Sequence, residues 1–258
     1  MLKNDNISRV IELLSKSNNI LFITGAGISA DSGLPTYRGI GGLYNNQPVE
    51  EGMPVEMALS GEILQSHPEI TWKYVYQIEE KCRAARFNRG HQVIAEMENH
   101  FERVWTLTQN VDGFHQAAGS QKVINIHGDL HQLLCSHCGW NKRVDDFSSL
   151  SIPPVCPECN AIVRPDVVFF GEKLPQHSVK ILSLELDKGF DMYFSIGTSS
   201  VFPYIIQPIL MARRQGKTTI EINPGQSEIS DFVDIKINHG AAAALDSIWT
   251  QYQKRYLY

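Results

Sequence analysis

Residues 24–39 run Thr-Gly-Ala-Gly-Ile-Ser-Ala-Asp-Ser-Gly-Leu-Pro-Thr-Tyr-Arg-Gly, directly after the apolar stretch Ile20-Leu21-Phe22-Ile23. A buried strand that enters a glycine-rich turn makes a phosphate site, because small residues let backbone N–H groups approach an anion. Gly25, Gly27 and Ala30 match the G-x-G-x-x-G/A spacing, a weak signal by itself. The tail sharpens it: Pro35 fixes a turn, Tyr37 adds an aromatic face and Arg38 a permanent cation suited to bidentate anion contact. A dehydrogenase turn would continue into an unbroken helix and place an acidic ribose ligand about 20 residues on. Here Gly33 and Pro35 interrupt the helix, and residues 41–48 (Gly-Gly-Leu-Tyr-Asn-Asn-Gln-Pro) suggest a loop. The turn therefore predicts a nucleotide site unlike that of a hydride-transfer enzyme.

Four of the five cysteines form a second constellation, Cys135-x-x-Cys138 and Cys156-x-x-Cys159, with Gly139 and Pro157 favouring tight turns beside them. Two such pairs can present four thiolates tetrahedrally to one zinc ion, leaving no coordination position open, so the metal is expected to be structural. His137 is expected to face solvent on a knuckle, and Cys82 to be a small core residue.

The elements that must position these groups alternate in type. Apolar runs at 20–23, 104–108, 123–126, 167–170, 192–196 and 219–222 predict the strands of a parallel sheet. Helical stretches at 7–17, 91–100 and 204–215 separate or flank them. The turns that follow most of these strands hold Gln109-Asn110, His127-Gly128, Gly171-Glu172, Gly197-Thr198-Ser199 and Asn223-Pro224-Gly225. Ligands of open α/β sheets bind at the carboxyl ends of strands, so these turns are expected to line one crevice. Insertions at about 40–88 and 129–165 break the alternation.

At 258 residues and 43% hydrophobic content the chain can bury a full core. The net charge of −5 provides no footprint for nucleic acid, and no apolar run reaches the roughly 18 residues of a membrane span. The polar N-terminus lacks a secretory h-region, and a cytoplasmic location is expected.

Taken together, Gly25-Ala26-Gly27-Ile28-Ser29-Ala30 with Tyr37-Arg38-Gly39, Thr108-Gln109-Asn110-Val111-Asp112-Gly113 and Ile126-His127-Gly128 ahead of the four cysteines resemble the sirtuin family of NAD-dependent protein-lysine deacylases. The likeness continues through residues 164–172, 197–203 and 223–225, and the short ends suit a bacterial member.

The resemblance implies a Rossmann-like, doubly wound α/β domain (1–40, 89–128 and 166–258). A smaller part combines a cofactor-binding loop and helical insertion (41–88) with the zinc module (129–165). It implies NAD as co-substrate and acylated-lysine proteins or peptides as partners. By motif, Gly25, Ala26, Gly27, Tyr37 and Arg38 would meet the pyrophosphate and nicotinamide ribose, Gln109, Asn110 and Val111 that ribose, and Asp112 the carboxamide. Gly197, Thr198, Ser199, Asn223, Pro224, Gly225 and Ala241 would hold the adenosine half. Val75, Ile78, Val168, Phe170, Gly171, Glu172 and Val201 would border the acyl-lysine and its peptide. His127 would be the general base, with Asn110 beside it in the catalytic pair.

An isolated His127 would be read as a hydrogen-bonded core histidine, and Gly128 with the matching neighbours turns that reading toward a base. The residues alone also allow Asp112 as a helix N-cap and Asn110 as a turn residue. The implied chemistry moves the acyl group to ADP-ribose and releases nicotinamide, with no hydride transferred. Mono-ADP-ribosyl transfer is the alternative, and members committed to it depart from the Asn and His kept here. Family members that prefer acidic acyl groups carry a Tyr-x-x-Arg pair on the insertion helix. Val75 and Ile78 fall at those positions, which predicts neutral acyl groups, with Tyr76 and Arg83 the nearest substitutes in another register.

Overall fold

The computed structural model describes residues 5–36 and 49–257. In chain order the elements are α1 (Asp5–Leu14), β1 (Asn19–Thr24), α2 (Ala26–Ala30), α3 (Val55–Ala58), α4 (Gly61–Ser66), α5 (Pro68–Ala84), α6 (Arg89–His100), β2 (Arg103–Thr108), α7 (Phe114–Ala117) and β3 (Val123–Asn125). Then come β4 (Gly128–Cys135), β5 (Asn141–Arg143), β6 (Val163–Val167), α8 (Gln176–Lys188), β7 (Met192–Ile196), α9 (Pro203–Arg214), β8 (Thr218–Ile222), β9 (Ile235–Ile237) and α10 (Ala241–Tyr256).

Six strands form a parallel sheet in the order β3-β2-β1-β7-β8-β9. The chain winds outward from β1 in one direction through β2 and β3, then returns beside β1 at β7 and winds the other way. The topological switch point thus lies between β1 and β7, where an open α/β sheet leaves its ligand crevice.

Both faces of the sheet are covered, so its strands are apolar throughout while their side chains still alternate. Ile20 and Phe22 of β1 enter a core with Val10 and Leu14 of α1, Val93 and Met97 of α6, and Leu245 and Trp249 of α10. Leu21 and Ile23 enter the opposite core with Leu182 of α8 and Ile205 and Ile209 of α9. In α1 the apolar positions 7, 10, 11 and 14 have helical spacing and are all buried. Asn88 closes a capping box with His91 at the start of α6, and its Nδ2 donates to Ile28 O (2.8 Å) and Ser32 Oγ (2.9 Å), fastening that helix to the glycine turn.

The helical insertion and the cysteine-bearing segment share a third core. Trp72 and Val75 of α5 pack with Leu130 and Leu133 of β4, Phe147 and Val163, and Trp72 Nε1 donates to Val163 O at 2.8 Å. Here β4 pairs antiparallel with β5 and β6.

One expected strand needs correction. The run 167–170 is not part of the parallel sheet: β6 ends at Val167 in the three-stranded sheet, and residues 168–170 continue along the cleft wall. There Val168 N donates to His127 O (2.9 Å) and Phe170 N to Leu59 O (3.0 Å). An apolar run satisfies either placement, since a cleft wall is also sheltered from water. The edge strand β9, only three residues long, is an addition that periodicity could not reveal.

Candidate active site

The turns that leave β1 and β7 interlock. Gly25 N donates to Ile196 O (3.0 Å) and Gly27 N to Gly197 O (2.8 Å). A Cβ on Gly27 would lie 2.5 Å from Gly197 Cα, and one on Gly197, where φ is +57°, 2.5 Å from the Gly27 backbone. Only glycine at both positions allows this approach, and the result is a wall of bare backbone suited to a diphosphate. Gln109 Nε2 donates to Thr198 Oγ1 (2.8 Å), Asn223 Nδ2 to Thr198 O (3.1 Å) and Gly225 N to Asn223 Oδ1 (3.1 Å). The ends of β2, β7 and β8 are thereby stitched around one cleft of about 840 Å³.

A hydrogen-bonded relay runs beneath that wall. Buried Asn110 donates from Nδ2 to Gly25 O (3.2 Å) and Ser29 Oγ (3.1 Å), and the Ser29 hydroxyl donates to Asp112 Oδ2 (2.7 Å). Asp112 Oδ1 accepts from Phe114 N at 3.0 Å, so the carboxylate also serves the start of α7. Burial raises its pKa, against the pull of these donors. Ser29, Asn110 and Asp112 face a smaller cavity of about 200 Å³, closed on the other side by Tyr74, Gln77, Ile78, Lys81 and Cys82 of α5.

His127 sits between β3 and β4, where Gly128 (φ +88°) is obligatory because a Cβ would fall 1.9 Å from Asp166 O. Its Nδ1 lies 2.9 Å from Gln109 O and its Nε2 2.7 Å from the Tyr204 hydroxyl. A carbonyl can only accept, so Nδ1 carries the proton and Nε2 presents its lone pair. Burial lowers the imidazole pKa, with the Gln109 carbonyl opposing, and the ring is held in the neutral, proton-accepting form near pH 7.

The four cysteine sulfurs lie within 4.8 Å of one another, with Cys135–Cys159 at 3.4 Å and Cys138–Cys156 at 3.6 Å. Four thiolates about 2.3 Å from a zinc ion require edges of about 3.8 Å, so the set fits one tetrahedral ion. The N–H groups of His137 and Cys138 both point at Cys135 Sγ (3.3 Å), and His137 itself is exposed. Strand β4 carries Gly128 at one end and Cys135 at the other, roughly 20 Å apart at strand rise. A metal at the cysteines is too far from His127 to take part in chemistry there.

The sequence model of the Sir2 family matches residues 25–203. The chain belongs to the Sir2 family. It is 47% identical over 234 residues to "NAD-dependent protein deacylase 2" of Pseudomonas aeruginosa, covering 90% of this chain and 91% of the relative. It is 35% identical to "NAD-dependent protein deacylase" of Aquifex aeolicus, covering 92% and 97%. Among solved structures, a Sir2 homolog–NAD complex superposes with a TM-score of 0.86 at 31% identity, covering 96% of this chain and 94% of that one. A Sir2 structure with a deacetylated p53 peptide and 3'-O-acetyl ADP-ribose superposes at 0.85 and 28% identity, covering 95% and 98%.

Most residues expected from the sequence of this Sir2 chain do line the larger cleft. Gly25, Ala26, Gly27, Gln109, Asn110, Val111, His127, Gly197, Thr198, Ser199, Asn223, Pro224 and Gly225 form one side and the floor. Val75, Ile78, Val168, Phe170, Gly171 and Glu172 form the other. Asp112 faces the smaller cavity instead. Ala241 is buried in the first turn of α10, and its neighbour Gly240 is the wall residue; Asp31 Oδ2 accepts from Ala242 N there at 2.8 Å. Val201 is 42% exposed and stands off the wall. Tyr37 and Arg38 lie outside the described residues.

The Glu172 carboxylate is already engaged. Burial works against its ionisation, yet the Arg164 guanidinium (2.6 and 2.7 Å) and Phe169 N (3.0 Å) hold its pKa below the usual range. Arg83 turns toward Glu79 (3.8 Å), Asp146 (3.6 Å) and the Tyr76 ring. Sequence reasoning did not single out Ser29 or Tyr204. A serine inside the glycine motif could have been noticed for its polarity; Tyr204 carries no local signal.

Proposed function

We propose that this chain is an NAD-dependent protein-lysine deacylase acting on acylated lysines of proteins or peptides. The observation that carries this is the fixed tautomer of His127, whose Nε2 lone pair faces a cleft with a backbone diphosphate cradle on one side and apolar Val75 and Ile78 on the other. NAD, when bound, supplies the leaving nicotinamide and the ribose that accepts the acyl group. The glycine wall, with Thr198 and Asn223, would seat its adenosine and diphosphate, and the Asn110–Ser29–Asp112 relay would orient the nicotinamide end. His127 would remove a proton from a ribose hydroxyl, with Gln109 O steadying the imidazolium that forms. The zinc ion would brace the module that backs α5.

Among the described residues no helix is long and apolar enough to cross a membrane. We place the protein in the cytoplasm, where a reducing environment keeps the cysteines as zinc-binding thiolates; all five are free of disulfides.

Incubation with NAD and an acetylated peptide tests the activity. Nicotinamide release matched one to one by loss of the acetyl mass supports deacylation. Nicotinamide release with labelling of protein, and no change in peptide mass, replaces it with ADP-ribosyl transfer.

A further inference from the structure

The segment that leaves β7 is shaped to bring one phenol onto the catalytic imidazole. Gly197 and Ser200 both adopt positive φ (+57° each), and Thr198 Oγ1 accepts from Ser200 N at 3.1 Å. Pro203 then occupies the first turn of α9, where its fixed φ suits helix entry. Tyr204, next in the chain, stacks on Phe202 with centroids 5.4 Å apart and planes 11° from parallel. Both rings meet His127 edge-on, at 6.0 and 5.9 Å and 85°. Within this aromatic bracket the Tyr204 hydroxyl reaches 2.7 Å from His127 Nε2.

An imidazole nitrogen has one lone pair. With the Nδ1 proton committed to Gln109 O, Nε2 can accept one good hydrogen bond, and Tyr204 makes it. A substrate hydroxyl that is to lose its proton must arrive along that same lone-pair direction. Both cannot be there together.

From this exclusivity we infer that Tyr204 is a built-in competitor for the base. Its phenol occupies the place of the reacting ribose hydroxyl until the dinucleotide displaces it, so the residue sets how tightly the ribose end binds rather than how fast the proton moves. The inference rests on His127 being the base. The phenol keeps its own proton throughout, and no other group changes protonation. The benefit to the empty enzyme is a neutral ring locked in its working orientation, at the expense of ribose affinity.

Tyr204→Phe keeps the stack on Phe202 and removes only the competing hydroxyl. Calorimetric titration of the zinc-loaded protein with ADP-ribose should show about three- to tenfold tighter binding in the variant, the scale of one lost neutral hydrogen bond. Steady-state assays with an acetylated peptide should show a matching fall in KM for NAD, with kcat within twofold. In a His127→Ala background the same substitution should leave ADP-ribose affinity unchanged, because the contested lone pair is gone. Unchanged or weaker ADP-ribose binding in the single variant overturns the inference, as does the same gain in both backgrounds. A drop in kcat without tighter binding also overturns it and assigns the phenol to proton relay. If His127→Ala alone retains turnover, the base assignment falls and this inference with it; loss of turnover with no effect of Tyr204→Phe sinks this inference alone.

Discussion

The His127 Nδ1 lies 2.9 Å from the carbonyl oxygen of Gln109, and that contact joins the end of β2 to the turn after β3. It fixes the proton on one nitrogen and leaves the other as the acceptor. A backbone carbonyl of the same cleft thus sets which ring nitrogen is left to accept a proton.

The first prediction follows from that contact and from burial. His127→Ala should lower kcat by at least about a hundredfold, the usual scale of a general base, while NAD and peptide still bind. In the wild type, burial lowers the His127 pKa below the ordinary 6.5, so the base form persists as pH falls through 6.5. The acid limb of kcat/KM should therefore lie below 6.5. A limb above 6.5, measured with saturating zinc, would contradict the buried neutral base.

Gly197→Ala should be costly in two ways. It adds a Cβ 2.5 Å from the Gly27 backbone and asks alanine to hold φ at +57°. Gly216 has a similar φ of +68° with nothing within 4 Å, so Gly216→Ala carries only the conformational cost of about 1–2 kcal/mol. Thermal unfolding should rank Gly197→Ala below Gly216→Ala by a further 1–3 kcal/mol or so. Dinucleotide titration should lose affinity only in Gly197→Ala. Equal behaviour of the two variants would mean that the cradle relaxes freely.

Two buried histidines predict acid sensitivity of the fold itself. His91 and His115 pack at 4.9 Å, and among the described residues His91 Nε2 and His115 Nδ1 have no hydrogen-bond partner. Burial lowers the His91 pKa to about 4; for His115, burial and then the neighbouring His91 lower it well below 6.5. The unfolded chain therefore binds more protons below pH 6.5, so the stability is fully present above 6.5 and is lost as pH falls toward 4. The slope should approach about 1.4 kcal/mol per pH unit for each histidine that stays neutral. Urea unfolding across pH 4–7 measures it. His91→Gln, which keeps an acceptor for Asn88 N, should flatten the slope by about one proton.

Zinc should be structural. Metal analysis should find one zinc ion per chain, and Cys156→Ala should lower the unfolding temperature, since Cys156 is fully buried in the core shared with Trp72. The fraction that remains folded should keep its KM for NAD, because β4 separates the cysteines from His127. Active, folded protein without zinc would refute the assignment.

What could be read before the structure follows a physical divide. The glycine turn and the two C-x-x-C pairs announce themselves because close backbone approach and tetrahedral thiolate binding each restrict residue type at fixed short spacing. The strands at 20–23, 192–196 and 219–222 were legible because a doubly covered sheet demands continuous apolar runs. The run 167–170 obeys the same demand but lines a cleft, so composition could not separate the two. Tyr204 was illegible for another reason: its partner His127 is 77 residues away, and Pro203-Tyr204-Ile205-Ile206 has the pattern of an ordinary helix start. Asp112 shows that alternatives need not exclude each other, since it takes the Phe114 N–H of α7 and the Ser29 hydroxyl together.

The last prediction concerns which acyl group is removed. Val75 is nearly fully buried, and Val75 and Ile78 both face the larger cleft from α5. A carboxylate placed against them would lose hydration with no partner, a cost of several kcal/mol if fully buried. Arg83 cannot relieve it, being held toward Glu79 and Asp146. Lys81 is the one cation on the wall of the smaller cavity among the described residues, and it is exposed, where its attraction for an acid is screened. A kinetic comparison of one peptide bearing acetyl, decanoyl or succinyl lysine should therefore give succinyl removal at least about tenfold below acetyl in kcat/KM, equivalent to about 1.4 kcal/mol. Ile78→Arg should narrow that gap by supplying a cation on the α5 wall of the cleft. A succinyl rate equal to the acetyl rate in the wild type would show that Val75 and Ile78 do not contact the acyl group.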